Sequence, residues 1–83
     1  MLPLRIYVSA TCAVCQYTYE LVCNVQRLRP HYPIEVIDLD DEHAQKPAFV
    51  FGTPTYVLGE TIIALGNPNV DFLVQLLDRV MQL

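Results

Sequence analysis

The sequence predicts a single α/β domain over residues 1–83. Two short runs rich in β-branched and aliphatic residues, at 4–8 and 34–39, have the composition of strands. Between them, apolar residues recur every three or four positions, as on one face of a helix. A strand, a helix and a second strand in this order form a parallel pair with a right-handed crossover. A chain of this length buries too little surface to form a second hydrophobic core.

The first helix should end before Pro30, because proline cannot continue it. Measured from Val14 at about 100° per residue, Cys23 lies near 180°. The thiol of Cys23 should therefore face solvent. The apolar face of this helix consists of Val14, Tyr17, Leu21, Val25 and Leu28.

The sequence of the second half of the chain predicts a short helix, two strands and a final helix. The acids at 40–42 suit a helix N-terminus, and Pro47 limits that helix. Runs at 55–58 and 61–65 are strands whose two-residue spacing predicts an antiparallel hairpin. In the final helix, Asn67 and Pro68 supply the cap and first turn, and the apolar face consists of Val70, Leu73, Val74, Leu77, Val80 and Met81.

Charge and composition exclude several classes of function. Five Lys and Arg against nine Asp and Glu give a net charge of -4, without a basic cluster that could neutralise phosphates. We therefore expect no nucleic-acid partner. No apolar run approaches the roughly 18 residues of a membrane span, and the start lacks the features of a signal peptide. We expect a cytoplasmic protein, in which three cysteines favour redox or metal chemistry over a disulfide framework.

The segment from Cys12 to Cys15 has CxxC spacing and lies where the first strand gives way to the first helix. Thr11 or Ser9 can cap that helix, and the helix dipole favours a negative charge at its first turn. Cys12 is then the reactive thiolate, and Cys15, turned toward the sheet, resolves a mixed disulfide. Half of a zinc site is the alternative, but Cys23 lies roughly 16 Å along the helix from Cys12.

A proline directly before a strand marks an edge, a strand start or a cis bend. Pro54, in Gly52-Thr53-Pro54-Thr55, occupies such a position. The residues alone leave an ordinary turn proline and a cis proline both open.

These features together resemble the thioredoxin superfamily over nearly the whole chain. The resemblance is carried by the CxxC at a helix start, by Asp38-Leu39-Asp40 at the end of the second strand, and by the run from Phe51 to Glu60. In size the chain is most similar to small glutaredoxin-like or minimal thioredoxin-like proteins. The resemblance implies a thioredoxin-like fold, with a four-stranded mixed sheet in the order 2-1-3-4 flanked by three helices. Helices one and three would share one face, and helix two would cover the other.

The resemblance also implies roles for four residues. Cys12 matches the attacking cysteine, Cys15 the resolving cysteine and Pro54 the cis-proline, and the two cysteines form the redox-active disulfide. Thr53 matches the residue whose backbone binds an extended substrate. The chain departs from the family where Ile6 replaces a buried acid and where Ala13-Val14, without proline, lies within the CxxC. The Gly-Gly of the glutathione loop becomes Gly66-Asn67.

The expected function is a thiol-disulfide oxidoreductase that reduces disulfides by a dithiol mechanism, as a monomer without metal or organic cofactor. Its substrate would be a disulfide-containing protein or small molecule, and its electrons would come from a reductase or a small thiol. Two alternatives stay open. One is a non-catalytic adaptor that binds a peptide along Thr53-Pro54, and the other is an iron-sulfur module that uses Cys12 from two chains.

Overall fold

A computed structural model describes residues 1–82, and its regular elements follow the apolar runs of the sequence. None of the helices in this part of the chain is long and apolar enough to cross a bilayer. The elements, in chain order, are β1 Leu4–Val8, α1 Cys15–Leu28, β2 Ile34–Asp38, β3 Thr55–Leu58, β4 Thr61–Leu65 and α2 Val70–Met81.

The four strands form one mixed sheet in the order β2-β1-β3-β4, as predicted. β1 runs parallel to β2 and antiparallel to β3, and β3 runs antiparallel to β4. Gly59 has a φ of 63°, a left-handed conformation that glycine adopts without steric cost and that closes the two-residue hairpin. The central strands β1 and β3 are almost wholly buried, whereas the edge strands are partly exposed.

Both helices pack on one face of the sheet, where they form the larger part of the core. α1 ends before Pro30, as predicted, but its buried face is rotated by about 60° from the predicted one. Tyr17 and Leu28 are about half exposed, whereas Thr18 is fully buried. Thr18 is buried because its hydroxyl donates a hydrogen bond to Asn67 Oδ1 at 2.6 Å, a partner that helical periodicity does not reveal.

The short helix predicted from residues 40–42 does not form, so residues 1–82 contain two helices rather than three. The acidic side chains of this segment accept local hydrogen bonds instead. Asp38 Oδ1 accepts from the Asp40 N–H, and Asp41 Oδ1 accepts from the His43 N–H, each at 2.9 Å. Such side-chain to backbone bonds compete with helical ones. On the second face of the sheet, Val50 is instead fully buried, and Leu39 and Phe49 pack beside it.

Candidate active site

The two cysteines of the CxxC lie at the junction between β1 and α1, joined as a disulfide with their Cα atoms 5.4 Å apart. Cys15 is the first residue of α1 and is only 3% exposed, packed among core residues of the sheet and both helices. Cys12 precedes the helix and is partly exposed. Of the two sulfurs, that of Cys12 is therefore the more accessible to another molecule.

The loop before α1 is built differently from the prediction. Ser9 and Thr11 do not cap the helix: their hydroxyls bond each other at 2.9 Å, and Val14 is the N-cap residue without a side-chain bond. The Cys12 N–H donates to the Ser9 carbonyl and the Cys15 N–H to the Cys12 carbonyl, each at 3.2 Å. These successive turns delay the helix start to Cys15. The positive end of its dipole then faces the loop that carries Cys12.

Thr53 and Pro54 lie against the CxxC from the opposite side of the site. The peptide bond between them is cis, and the Thr53 carbonyl oxygen lies 3.4 Å from Cys12 Sγ. The Gly66 N–H donates to the Pro54 carbonyl at 2.9 Å, which ties this loop to the segment before α2. The fold thus brings Cys12, Cys15, Thr53 and Pro54 together from sequence positions about forty residues apart.

A cavity of about 380 Å³ lies on the other side of the cysteines. Both cysteines line it, together with Ala10 and with Asp38 at the end of β2. Asp40, two residues later, accepts a hydrogen bond from the Ala10 N–H at 2.5 Å and anchors the loop. The sequence indicates no acid near Cys15, because Ile6 stands where the resemblance implies a buried acid. The parallel register of β1 and β2 places Asp38 opposite Val8, and Asp38 lines the same cavity as the two cysteines.

The predicted cap of α2 is also corrected by the structure. Asn69, not Asn67, caps the helix, since its side chain accepts from the Phe72 N–H at 2.7 Å. Asn67 Nδ2 donates instead to the Val14 carbonyl within the CxxC at 2.9 Å. Apolar periodicity does not predict this contact, although Asn67 stands where the resemblance to glutaredoxins implies a glycine.

An apolar surface continues from Pro54 away from the cysteines. Phe51 is 86% exposed and Leu65 is 76% exposed, and both line a groove of about 250 Å³ that also includes Thr53 and Gly66. A contiguous exposed apolar patch of this kind is typical of a binding surface.

The remaining cysteine, Cys23, is free and exposed on α1, which confirms the prediction from the helical wheel. Within residues 1–82, no three His, Cys, Asp or Glu side chains cluster as metal ligands.

No protein-family model and no curated protein sequence matches the chain. A crystal structure of thioredoxin O2 from Arabidopsis thaliana, in its oxidised state, is similar with a TM-score of 0.63. The alignment covers 94% of this chain and 73% of that one, at 16% sequence identity. The chain therefore has a thioredoxin-like fold.

Proposed function

We propose that the protein is a thiol-disulfide oxidoreductase that reduces disulfides by a dithiol mechanism. The observation that carries the proposal is the asymmetry of the cysteine pair. The Cys12 sulfur is accessible and lies 3.4 Å from the Thr53 carbonyl, whereas Cys15 is buried directly behind it. The Cys12 sulfur can contact a substrate, whereas the Cys15 sulfur can reach only Cys12.

The cycle begins with both cysteines reduced. The Cys12 thiolate attacks one sulfur of a substrate disulfide, and the second substrate sulfur leaves as a thiolate that takes up a proton. The Cys15 thiol then loses its proton, and its sulfur attacks Cys12 Sγ. The mixed disulfide breaks, the first substrate sulfur leaves as a thiolate, and a Cys12–Cys15 disulfide remains. Two electrons have passed to the substrate, and no metal or organic cofactor is required.

Substrate binding falls to the Thr53–Pro54 loop and the apolar groove beside it. The Thr53 backbone lies next to the attacking sulfur, where it can bond an extended polypeptide. Phe51 and Leu65 offer apolar contacts to the residues that flank a disulfide. The proposed substrate is therefore a disulfide-containing protein, or a disulfide-containing small molecule that reacts with the same Cys12 sulfur.

A reductase or a small thiol restores the dithiol form after each cycle, which makes the protein an electron carrier. We place it in the cytoplasm as a monomer. The proposal includes both the thioredoxin type, whose disulfide is reduced by an enzyme, and the glutaredoxin type, whose disulfide is reduced by glutathione.

The test is reduction of insulin disulfides, followed with thioredoxin reductase and NADPH and, separately, with glutathione and glutathione reductase. Activity with either system supports the proposal, and the active system identifies the type. Absence of reduction in both, with dithiothreitol also unable to sustain catalysis, would contradict it. Binding of an unfolded polypeptide without reduction would favour the adaptor instead.

A further inference from the structure

The side chain of Asn67 links the CxxC segment to the core. Its Nδ2 donates to the Val14 carbonyl at 2.9 Å. Its Oδ1 accepts from two hydroxyls, that of Thr18 on α1 at 2.6 Å and that of Tyr56 on β3 at 2.7 Å. One amide therefore joins the loop before α2, the first helix, a central strand and the segment between the two cysteines.

Only one orientation of the Asn67 amide satisfies these groups. The Val14 carbonyl oxygen can only accept, so it requires the amide NH2, and the oxygen then faces the hydroxyls. Thr18 and Tyr56 are fully buried, and burial raises the pKa of Tyr56, which keeps its hydroxyl a donor. Buried polar groups are costly without partners, so this network holds Asn67 firmly in place.

The Val14 carbonyl belongs to the peptide that leads directly into Cys15. The same peptide carries the Cys15 N–H, which donates to the Cys12 carbonyl at 3.2 Å. The Val14 carbonyl also accepts from the Tyr17 N–H at 3.1 Å, in the first turn of α1. By binding this peptide, Asn67 holds the turn that keeps Cys12 and Cys15 next to each other.

We propose that Asn67 is a positioning residue that stabilises the Cys12–Cys15 disulfide relative to the dithiol form, an inference that rests on the proposed function. In the dithiol form no covalent bond holds the turn, and the Asn67 contact keeps the two thiols in the geometry needed for closure. Two thiols that are already held in the reacting geometry lose little further conformational freedom when the disulfide forms, so the entropic cost of forming it is smaller. Asn67 thereby makes the protein a stronger reductant.

The experiment measures the equilibrium between the two forms in mixtures of reduced and oxidised dithiothreitol. After acid quenching and alkylation in denaturant, mass spectrometry separates the forms, because the dithiol carries three labels and the disulfide one, on Cys23. Asn67→Ala should shift the equilibrium toward the dithiol by about threefold to tenfold, or about 14 to 30 mV, since a tenfold change equals about 30 mV.

Two further variants make the result specific. Asn67→Asp keeps the size of the side chain and its acceptor oxygen but places a second oxygen against the Val14 carbonyl. It should therefore shift the equilibrium at least as far as Asn67→Ala does. It also provides the test if Asn67→Ala does not fold. Asn69→Ala, two residues away, removes the cap of α2 without touching the CxxC. It should lower thermal stability and leave the equilibrium within about twofold of the parent value.

An equilibrium unchanged in both Asn67 variants would overturn the role of Asn67. An equal shift in Asn69→Ala would also overturn it, because loss of stability alone would then explain the effect. The equilibrium is measured without a substrate protein. Failure of the parent protein to reduce insulin therefore contradicts the proposed function separately.

Discussion

At the scale of single residues, Cys12 and Cys15 differ in access although they are joined by one bond. Cys15 is 3% exposed and packed in the core, whereas Cys12 is partly open and lies beside Thr53. Attack on a substrate and resolution of the mixed disulfide are separate steps on separate sulfurs. The two cysteines should therefore respond differently to substitution.

We expect Cys12→Ser to lower insulin reduction to the uncatalysed level, because the accessible nucleophile is lost. Cys15→Ser should instead accumulate a mixed disulfide between Cys12 and the substrate, visible as a band that reducing agent removes on gel electrophoresis. Cys23→Ser is the matched control and should form no such band. Turnover of insulin by Cys15→Ser at the parental rate would rule out the two-cysteine mechanism.

Cys23 offers a second test at the residue scale. It is exposed on α1, away from the cysteine pair, so it takes no part in the proposed cycle. Alkylation of the oxidised, folded protein should modify one thiol within minutes, and peptide mapping should place the label on Cys23. Cys23→Ser should keep the parental activity. Labelling that occurs only after denaturation would show that this thiol is buried.

At the scale of the elements, α2 begins with a well-formed cap. The Asn69 side chain accepts from the Phe72 N–H, and Asp71 places a negative charge in the first turn, where the helix dipole favours it. Leu73 and Leu77 are then fully buried against the sheet and α1. Stability of this helix therefore contributes to the core around Cys15.

Asn69→Ala should lower the free energy of unfolding by about 1 kcal/mol, because it leaves the Phe72 N–H in the first turn of α2 without its side-chain acceptor. For a domain of this size the melting temperature should fall by about 4 to 8 °C. Thermal unfolding by circular dichroism, with the disulfide intact, measures this. Asn69→Asp keeps an acceptor and should melt close to the parent, whereas equal losses in both variants would argue against capping.

The strands and the two long helices could be predicted because each has a continuous apolar pattern. The segment 39–54 could not, because its acids suit both a helix start and local turns. The carboxylates of Asp38 and Asp41 accept hydrogen bonds from nearby backbone N–H groups, and these bonds favour the turns. Burial of Val50 against the sheet then stabilises an irregular segment whose sequence carries no helical periodicity.

At the scale of the whole molecule, an ion pair joins the end of α1 to α2. Arg29 Nε donates to Asp78 Oδ1 at 2.5 Å, and Nη2 donates to Oδ2 at 2.6 Å. The hydrogen bonds from Arg29 lower the pKa of the Asp78 carboxyl below its ordinary value. A carboxyl with a lowered pKa in the folded state stabilises the protein above its unfolded pKa, and this contribution is lost as the pH falls through the folded pKa.

The stability difference between the parent and Asp78→Asn should therefore be largest near neutral pH and shrink as the pH falls below about 4. Both side chains are about one-third exposed, so salt should also reduce the difference. Urea unfolding at several pH values, with and without salt, measures both effects. A difference that stays constant down to about pH 2 would show that the ion pair does not stabilise the fold.

The sequence by itself determined the strands, the two long helices, the position of the CxxC before a helix and the exposure of Cys23. Each of these depends on the order of residues within one element, where periodicity reports burial directly. Tertiary structure decided which face of α1 is buried, which acid reaches the cysteine cavity and what Asn67 binds. Asn67 lies 49 residues from Thr18 and 53 from Val14. Hydrogen bonds over such separations leave no periodic trace, because the packing of the helices on the sheet alone brings their donors and acceptors together.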